Sequence, residues 1–262
     1  MTWIEALILG LLQGLTEFLP VSSSGHLEIG SALFGLQEEN LTFSIIVHGA
    51  TFLSVIVVFR KDIINLITGL FRFEWNDETK FILLLVISAL PVGIVGIVFK
   101  NQIESLFEGN ILLVGTMLLV TSILLLLTNF APNRKKDINI KSAIIMGIAQ
   151  TLAILPGISR SGATISTALY LGIDREKATK FSFLMVLIPI FGASFLEILE
   201  LTGATESSAI AASSLVIGAL AAFVSGLLAC SWMLKIVKKG KLVYFSVYTA
   251  IAGAVAIYFA LF

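Results

Sequence analysis

Residues 15–27 read LTEFLPVSSSGHL, placing a glutamate, three consecutive serines and a histidine around one proline. Short apolar runs flank the stretch on both sides, so it reads as a break inside a helix. The same pattern returns at residues 155–164, LPGISRSGAT. Two segments, about 3–35 and 141–172, therefore have the form helix–break–helix. Their arms of about 13–17 residues are short or borderline for crossing a bilayer, which takes roughly 20. They read as re-entrant hairpins that enter and leave on one face. A pair of short full spans in each place is the other reading, and both give an even number of crossings.

The rest of the chain sets the solvent. Of 262 residues, 57% are hydrophobic and 13% charged, where a soluble domain carries about a quarter charged. Six segments have the length and apolarity of full spans: about 41–60, 79–100, 110–130, 178–201, 209–233 and 243–262. The expected fold is an all-α polytopic membrane protein, one membrane domain over 1–262 with six transmembrane helices and two re-entrant hairpins. No Lys or Arg precedes the first apolar run, so a cleavable basic leader is not expected. The single Cys230 excludes an internal disulfide framework.

The order is hairpin and three spans, then hairpin and three spans. A shift of 137 residues aligns Gly10, Gln13, Leu15, Ser22, Ser24 and Gly25 with Gly147, Gln150, Leu152, Ser159, Ser161 and Gly162. A second echo, VISAL at 86–90 and VIGAL at 216–220, has a slightly different shift. Three spans are an odd number, so two such halves, about 1–130 and 131–262, have inverted topology. Charge orients them. Fifteen of the seventeen Lys and Arg fall in segments 60–80, 131–141, 172–180 and 234–242, all on one face. The opposite face has Lys100, and Arg160 sits in the second break. The positive-inside rule makes the basic face cytoplasmic. The first hairpin then enters from outside and the second from inside, so that their tips can meet. Residues 61–75 are too polar to span, and Ile63, Ile64, Ile67, Leu70 and Phe71 suggest an amphipathic helix, either on the inner interface or packed on the protein.

If the tips meet, Gln13, Glu17, Ser22, Ser23, Ser24 and His26 face Gln150, Ser159, Arg160, Ser161 and Thr164. A guanidinium at mid-membrane depth needs an anion, and its planar fork suits phosphate oxygens. Helix N-termini after a break favour the same ligand, and Gly162 is counted among the residues that bind it. Each serine alone also reads as a helix cap. Glu17 needs a partner: a divalent cation, Mg²⁺ or Ca²⁺, bridging it to phosphate, or a salt bridge to Arg160 at rest. His26 can move a proton near neutral pH. His48, inside the first full span, reads as a packing or supporting residue. The set fits phosphoryl transfer, with Arg160 and the hydroxyls holding a phosphoryl group. Ser23, Ser22, His26 itself or a water is the nucleophile. A P-loop, GxxxxGK[ST], is absent.

QGLTEFLPVSSSGHL (13–27) and LPGISRSGAT resemble the paired signatures of the undecaprenyl pyrophosphate phosphatase family, the bacitracin-resistance proteins. The resemblance covers essentially the whole chain. It implies hydrolysis of undecaprenyl pyrophosphate to undecaprenyl phosphate and phosphate, a divalent cation, and a site reached from the outer side of a bacterial plasma membrane. By position it puts the family's glutamate motif on Gln13 and Glu17, its serines on Ser22 and Ser23, its histidine on His26 and its arginine on Arg160. Many members have glutamate where this chain has Gln13, so Glu17 is the expected metal contact. The expected partners are a polyprenyl pyrophosphate lipid and membrane lipid, with no nucleic acid and a homodimer left open. The competing reading is a flippase or transporter, which uses the same inverted repeats and broken helices. A purely structural role leaves Arg160 unexplained.

Overall fold

A computed structural model describes residues 1–36, 41–107, 109–132, 134–192 and 210–262. Among these the chain is helical, with one isolated bridge between Lys136 and Ile173. In chain order the helices are α1 (Trp3–Phe18), α2 (Ser23–Leu33), α3 (Leu41–Val58), α4 (Arg60–Leu70), α5 (Asp77–Val98), α6 (Lys100–Glu104) and α7 (Ile111–Leu127). There follow α8 (Ile140–Leu152), α9 (Arg160–Tyr170), α10 (Arg175–Met185), α11 (Ala212–Lys238) and α12 (Val243–Leu261).

Both expected breaks are present, between α1 and α2 and between α8 and α9. Four described helices are long and apolar enough to cross a membrane: α5, α7, α11 and α12. The α3–α4 pair, bent by 76°, makes a fifth if counted as one span. The expected 41–60 span therefore ends at this bend. α4 turns its Ile63 and Leu66 onto the core, while Ile64, Ile67, Leu70 and Phe71 remain exposed. The helix is thus packed on the protein along one side and apolar along the other.

The expected 178–201 span is not a single helix. α10 ends at Met185, Val186 is a turn, and helix resumes over 187–192. Pro189 explains the interruption, because it has no N–H for the Met185 carbonyl and its ring crowds that group. Residues 193–201 of this expected span, and the first residue of the 209–233 span, lie outside the described residues.

Exposed apolar residues run along the spans. On α5, Val86, Leu90, Ile94 and Ile97 form an outward stripe, with Ile97 70% exposed. A monomer in water rarely shows such a stripe; in hydrocarbon it is the surface that needs no cover.

Packing is crosswise. α1 lies along α11 and α8 along α5, while α7 pairs with α12. Glycine permits the first two contacts. A Cβ on Gly10 would stand 2.3 Å from the Gly218 carbonyl oxygen, and one on Gly147 would stand 2.4 Å from that of Ser88. These four residues are the members of the two sequence echoes, each matched against the other's half.

Candidate active site

The two breaks place the N-termini of α2 and α9 against one another. At the first, Ser22 accepts a hydrogen bond from Gly25 N at 3.3 Å and caps α2. At the second, Ser159 accepts from Gly162 N at 3.1 Å and caps α9. The cap reading of these serines therefore holds. Ser22 also has φ 70°, a left-handed conformation costly for a residue with a side chain.

Contacts across the tips are reciprocal. Ser161 Oγ donates to the Leu19 carbonyl at 3.2 Å. A Cβ on Gly162 would lie 3.3 Å from Pro20 Cβ, and one on Gly25 would lie 3.2 Å from Gly157 Cα. The second tip is also tied to α7, where Thr121 Oγ1 donates to Gly157 O at 2.9 Å and accepts from Ser159 N at 3.0 Å.

Glu17 is the hub. Arg160 Nη2 donates to its Oε1, forming an ion pair across the tips. Gln13 Nε2 and Ser23 Oγ donate to its Oε2 at 3.0 and 2.5 Å. The Glu17 side chain is 3% exposed and that of Arg160 28%, so the arginine is the open side of the pair. His48 of α3 turns its Nδ1 to the Ser44 carbonyl at 2.9 Å, within its own helix.

Other expected residues form a surrounding layer. Ser24 Oγ is 3.3 Å from Ser22 Oγ, and Ser159 Oγ is 3.3 Å from Ser161 Oγ. Thr164 Oγ1 donates to the Arg160 carbonyl at 2.8 Å and meets Ser182 Oγ at 2.6 Å, turned away from the tips into α10. Gln150 is buried, with neither amide atom hydrogen-bonded. His26 is not hydrogen-bonded to Glu17 or Ser23. Its Nδ1 lies 2.7 Å from the Ser22 carbonyl and its Nε2 2.8 Å from the Tyr248 hydroxyl.

The motifs do not single out Tyr248 or Thr121. Both sit in apolar spans far away in sequence, where a Tyr reads as an interface residue and a Thr as helix packing. Neither carries a local signal of its role.

The donors around Glu17 can be tested against a divalent cation. Among the described residues no group of three or more His, Cys, Asp or Glu could hold a metal. A hard cation would instead find one carboxylate, the Ser23 hydroxyl and Gln13 Oε1, which is buried without a hydrogen-bond partner. Mg²⁺ is commonly held by one or two carboxylates together with phosphate oxygens and water. The donor set fits an ion that arrives with phosphate, and is too sparse for an all-protein cage.

Residues 6–255 match the family described as bacitracin resistance protein BacA. The chain is 54% identical over 260 residues to the undecaprenyl-diphosphatase of Bacteroides fragilis (strain YCH46), covering 98% of each chain. It is 53% identical to that of Parabacteroides distasonis, with the same coverage. It is 40% identical over 276 residues to that of Alkaliphilus metalliredigens, covering all of both chains.

Proposed function

The chain belongs to the bacitracin resistance protein BacA family, and from that membership we infer that it is an undecaprenyl-diphosphatase. It is an integral membrane hydrolase that converts undecaprenyl pyrophosphate to undecaprenyl phosphate and inorganic phosphate. The product is the carrier lipid that wall synthesis reuses. One observation carries the chemistry: Arg160, Glu17 and Ser23 converge where two helix N-termini face each other.

The reaction follows from that arrangement. The pyrophosphate competes with Glu17 for Arg160, whose fork binds two phosphate oxygens at once. The N-termini of α2 and α9 add their dipoles to the same anion. As Arg160 moves to the phosphate, the Glu17 carboxylate is released to act as a base. Ser23 already donates to it at 2.5 Å, whereas Ser22 is engaged in capping, so Ser23 is the favoured nucleophile. Ser23 Oγ attacks the terminal phosphorus, its proton passes to Glu17, and the bond to the bridging oxygen breaks. Undecaprenyl phosphate leaves. Water then attacks the phosphoserine phosphorus, Glu17 returns its proton to the leaving Ser23 Oγ, and His26 takes the water's proton at Nε2 as the Tyr248 hydroxyl yields that lone pair. A divalent cation held by Glu17 and Gln13 would supply positive charge to the phosphate oxygens.

The architecture belongs to the same proposal. Six spans and two re-entrant hairpins form two inverted repeats, about 1–130 and 131–262, in a bacterial plasma membrane. Support comes from the reciprocal contacts, with Gly10 on Gly218 mirrored by Gly147 on Ser88, and Gly25 on Gly157 mirrored by Gly162 on Pro20. The basic segments orient the Glu17 hairpin outward. Such a frame also suits a polyprenyl-phosphate flippase, but the Ser23–Glu17 contact and the relatives' shared name favour hydrolysis.

Phosphate release from undecaprenyl pyrophosphate by the purified protein tests this reading. Release with Mg²⁺ or Ca²⁺ and none with EDTA is expected. A folded protein that binds the lipid and releases no phosphate would contradict it. Release that EDTA leaves unchanged would remove the cation.

A further inference from the structure

His26 belongs to the first hairpin and Tyr248 to the last helix, 222 residues apart in sequence. Both ring nitrogens of His26 are engaged. A carbonyl oxygen can only accept, so Nδ1 carries a hydrogen and donates it to Ser22 O at 2.7 Å. In the neutral ring Nε2 is then an acceptor, and the Tyr248 hydroxyl donates to it at 2.8 Å. The two rings are also nearly parallel, with an interplanar angle of 10° and centroids 5.6 Å apart. The Ser22 carbonyl fixes which nitrogen is basic, and Tyr248 fixes where that nitrogen points. His26 is buried, while Tyr248 is 47% exposed. The tyrosine thus reaches from the outer side of α12 into the site.

We propose that Tyr248 is a positioning residue for His26, holding the imidazole by a stacked ring and by a hydrogen bond to the one nitrogen able to accept a proton. This rests on the reading of His26 as a proton-handling group of the phosphatase. The bond occupies the Nε2 lone pair at rest, so the hydroxyl hydrogen gives way as the attacking water donates in its place, and the water meets an imidazole that is already aligned. The Tyr248 hydroxyl performs that orientation from a span that none of the site motifs includes.

The experiment combines turnover with nitrogen spectroscopy. His26 and His48 are the only histidines in the sequence, so ¹⁵N-histidine labelling gives two imidazoles, and His48→Gln assigns them. In the wild type His26 should be one neutral tautomer, protonated at Nδ1, with the Nε2 resonance displaced by an accepted hydrogen bond. Tyr248→Phe keeps the ring and removes the hydroxyl. It should leave Nδ1 in place, move Nε2 to the position of a free acceptor, and lower kcat about fivefold, the factor for one neutral hydrogen bond, with KM unchanged. Tyr248→Leu, which also loses the ring, should lower kcat further. An Nε2 resonance that does not move in Tyr248→Phe overturns the proposal, and so does one that moves while kcat stays at the wild-type value. Absence of hydrolysis in the wild type would strike the phosphatase reading and the proposal with it. An unmoved Nε2 in an active enzyme strikes the proposal alone.

Discussion

Glu17 divides two carboxylate oxygens among three donors, and the energetics of that division shape the site. A buried carboxylate without a partner is costly, and removing one member of a buried ion pair typically costs 3–5 kcal/mol. Arg160→Ala should therefore lower the unfolding midpoint in detergent as well as activity. Arg160→Lys keeps the charge and loses the fork. It should unfold closer to the wild type than the alanine variant and still turn over about 10²-fold more slowly, the scale for losing one transition-state donor. Steady-state phosphate release alongside thermal unfolding would check this, and near-normal turnover in the lysine variant would contradict bidentate binding. At this scale the Glu17–Arg160 pair was legible in the sequence, because neither charge is tolerable alone in an apolar chain. The contacts of Tyr248 and Thr121 were not. Contacts between distant apolar helices leave no periodicity or spacing behind.

At the scale of elements, the breaks were readable because Pro20, and Pro156 with Gly157, coincide with runs of capping serines. The caps on α2 and α9 then formed where the spacing put them. The interruption after Met185 was hidden by apolarity that continues through Pro189. Composition finds hydrocarbon-facing segments without saying whether they are straight. Pro91 shows the limit, since it is accommodated inside α5 without ending the helix. The tight crossings were half legible: the echoes were visible as repeats, but not as each other's contact partners. Gly147→Val should force α8 away from α5, because its Cβ would meet the Ser88 carbonyl oxygen at 2.4 Å. Overpacking of this kind costs about 1–3 kcal/mol, so the unfolding midpoint should fall, and an unchanged midpoint would contradict the packing. Ser161→Ala, losing one hydrogen bond across the tips, should cost about 1 kcal/mol by the same measurement.

At the scale of the whole molecule, the proposed inversion rests on the count of three spans per half, and the proposed orientation on where the lysines and arginines lie. Both can be checked with the one native cysteine removed. In a Cys230→Ala background, Lys136→Cys and Lys239→Cys should resist a membrane-impermeant maleimide in intact cells, and Asn101→Cys should react. The reverse pattern would turn the protein over and put the Glu17 hairpin on the cytoplasmic side. Crosswise packing, in which α1 leans on α11 and α8 on α5, suits the proposed arrangement in two halves. It brings an acid from one and a base from the other to one point, which neither half could do alone. The most direct test of that claim is phosphate release from undecaprenyl pyrophosphate by wild type, Glu17→Ala, His26→Ala and Arg160→Ala, each shown to be folded. Loss of cation-dependent release in all three is the predicted result, and release that survives the substitutions would mean that the chemistry occurs elsewhere in the molecule.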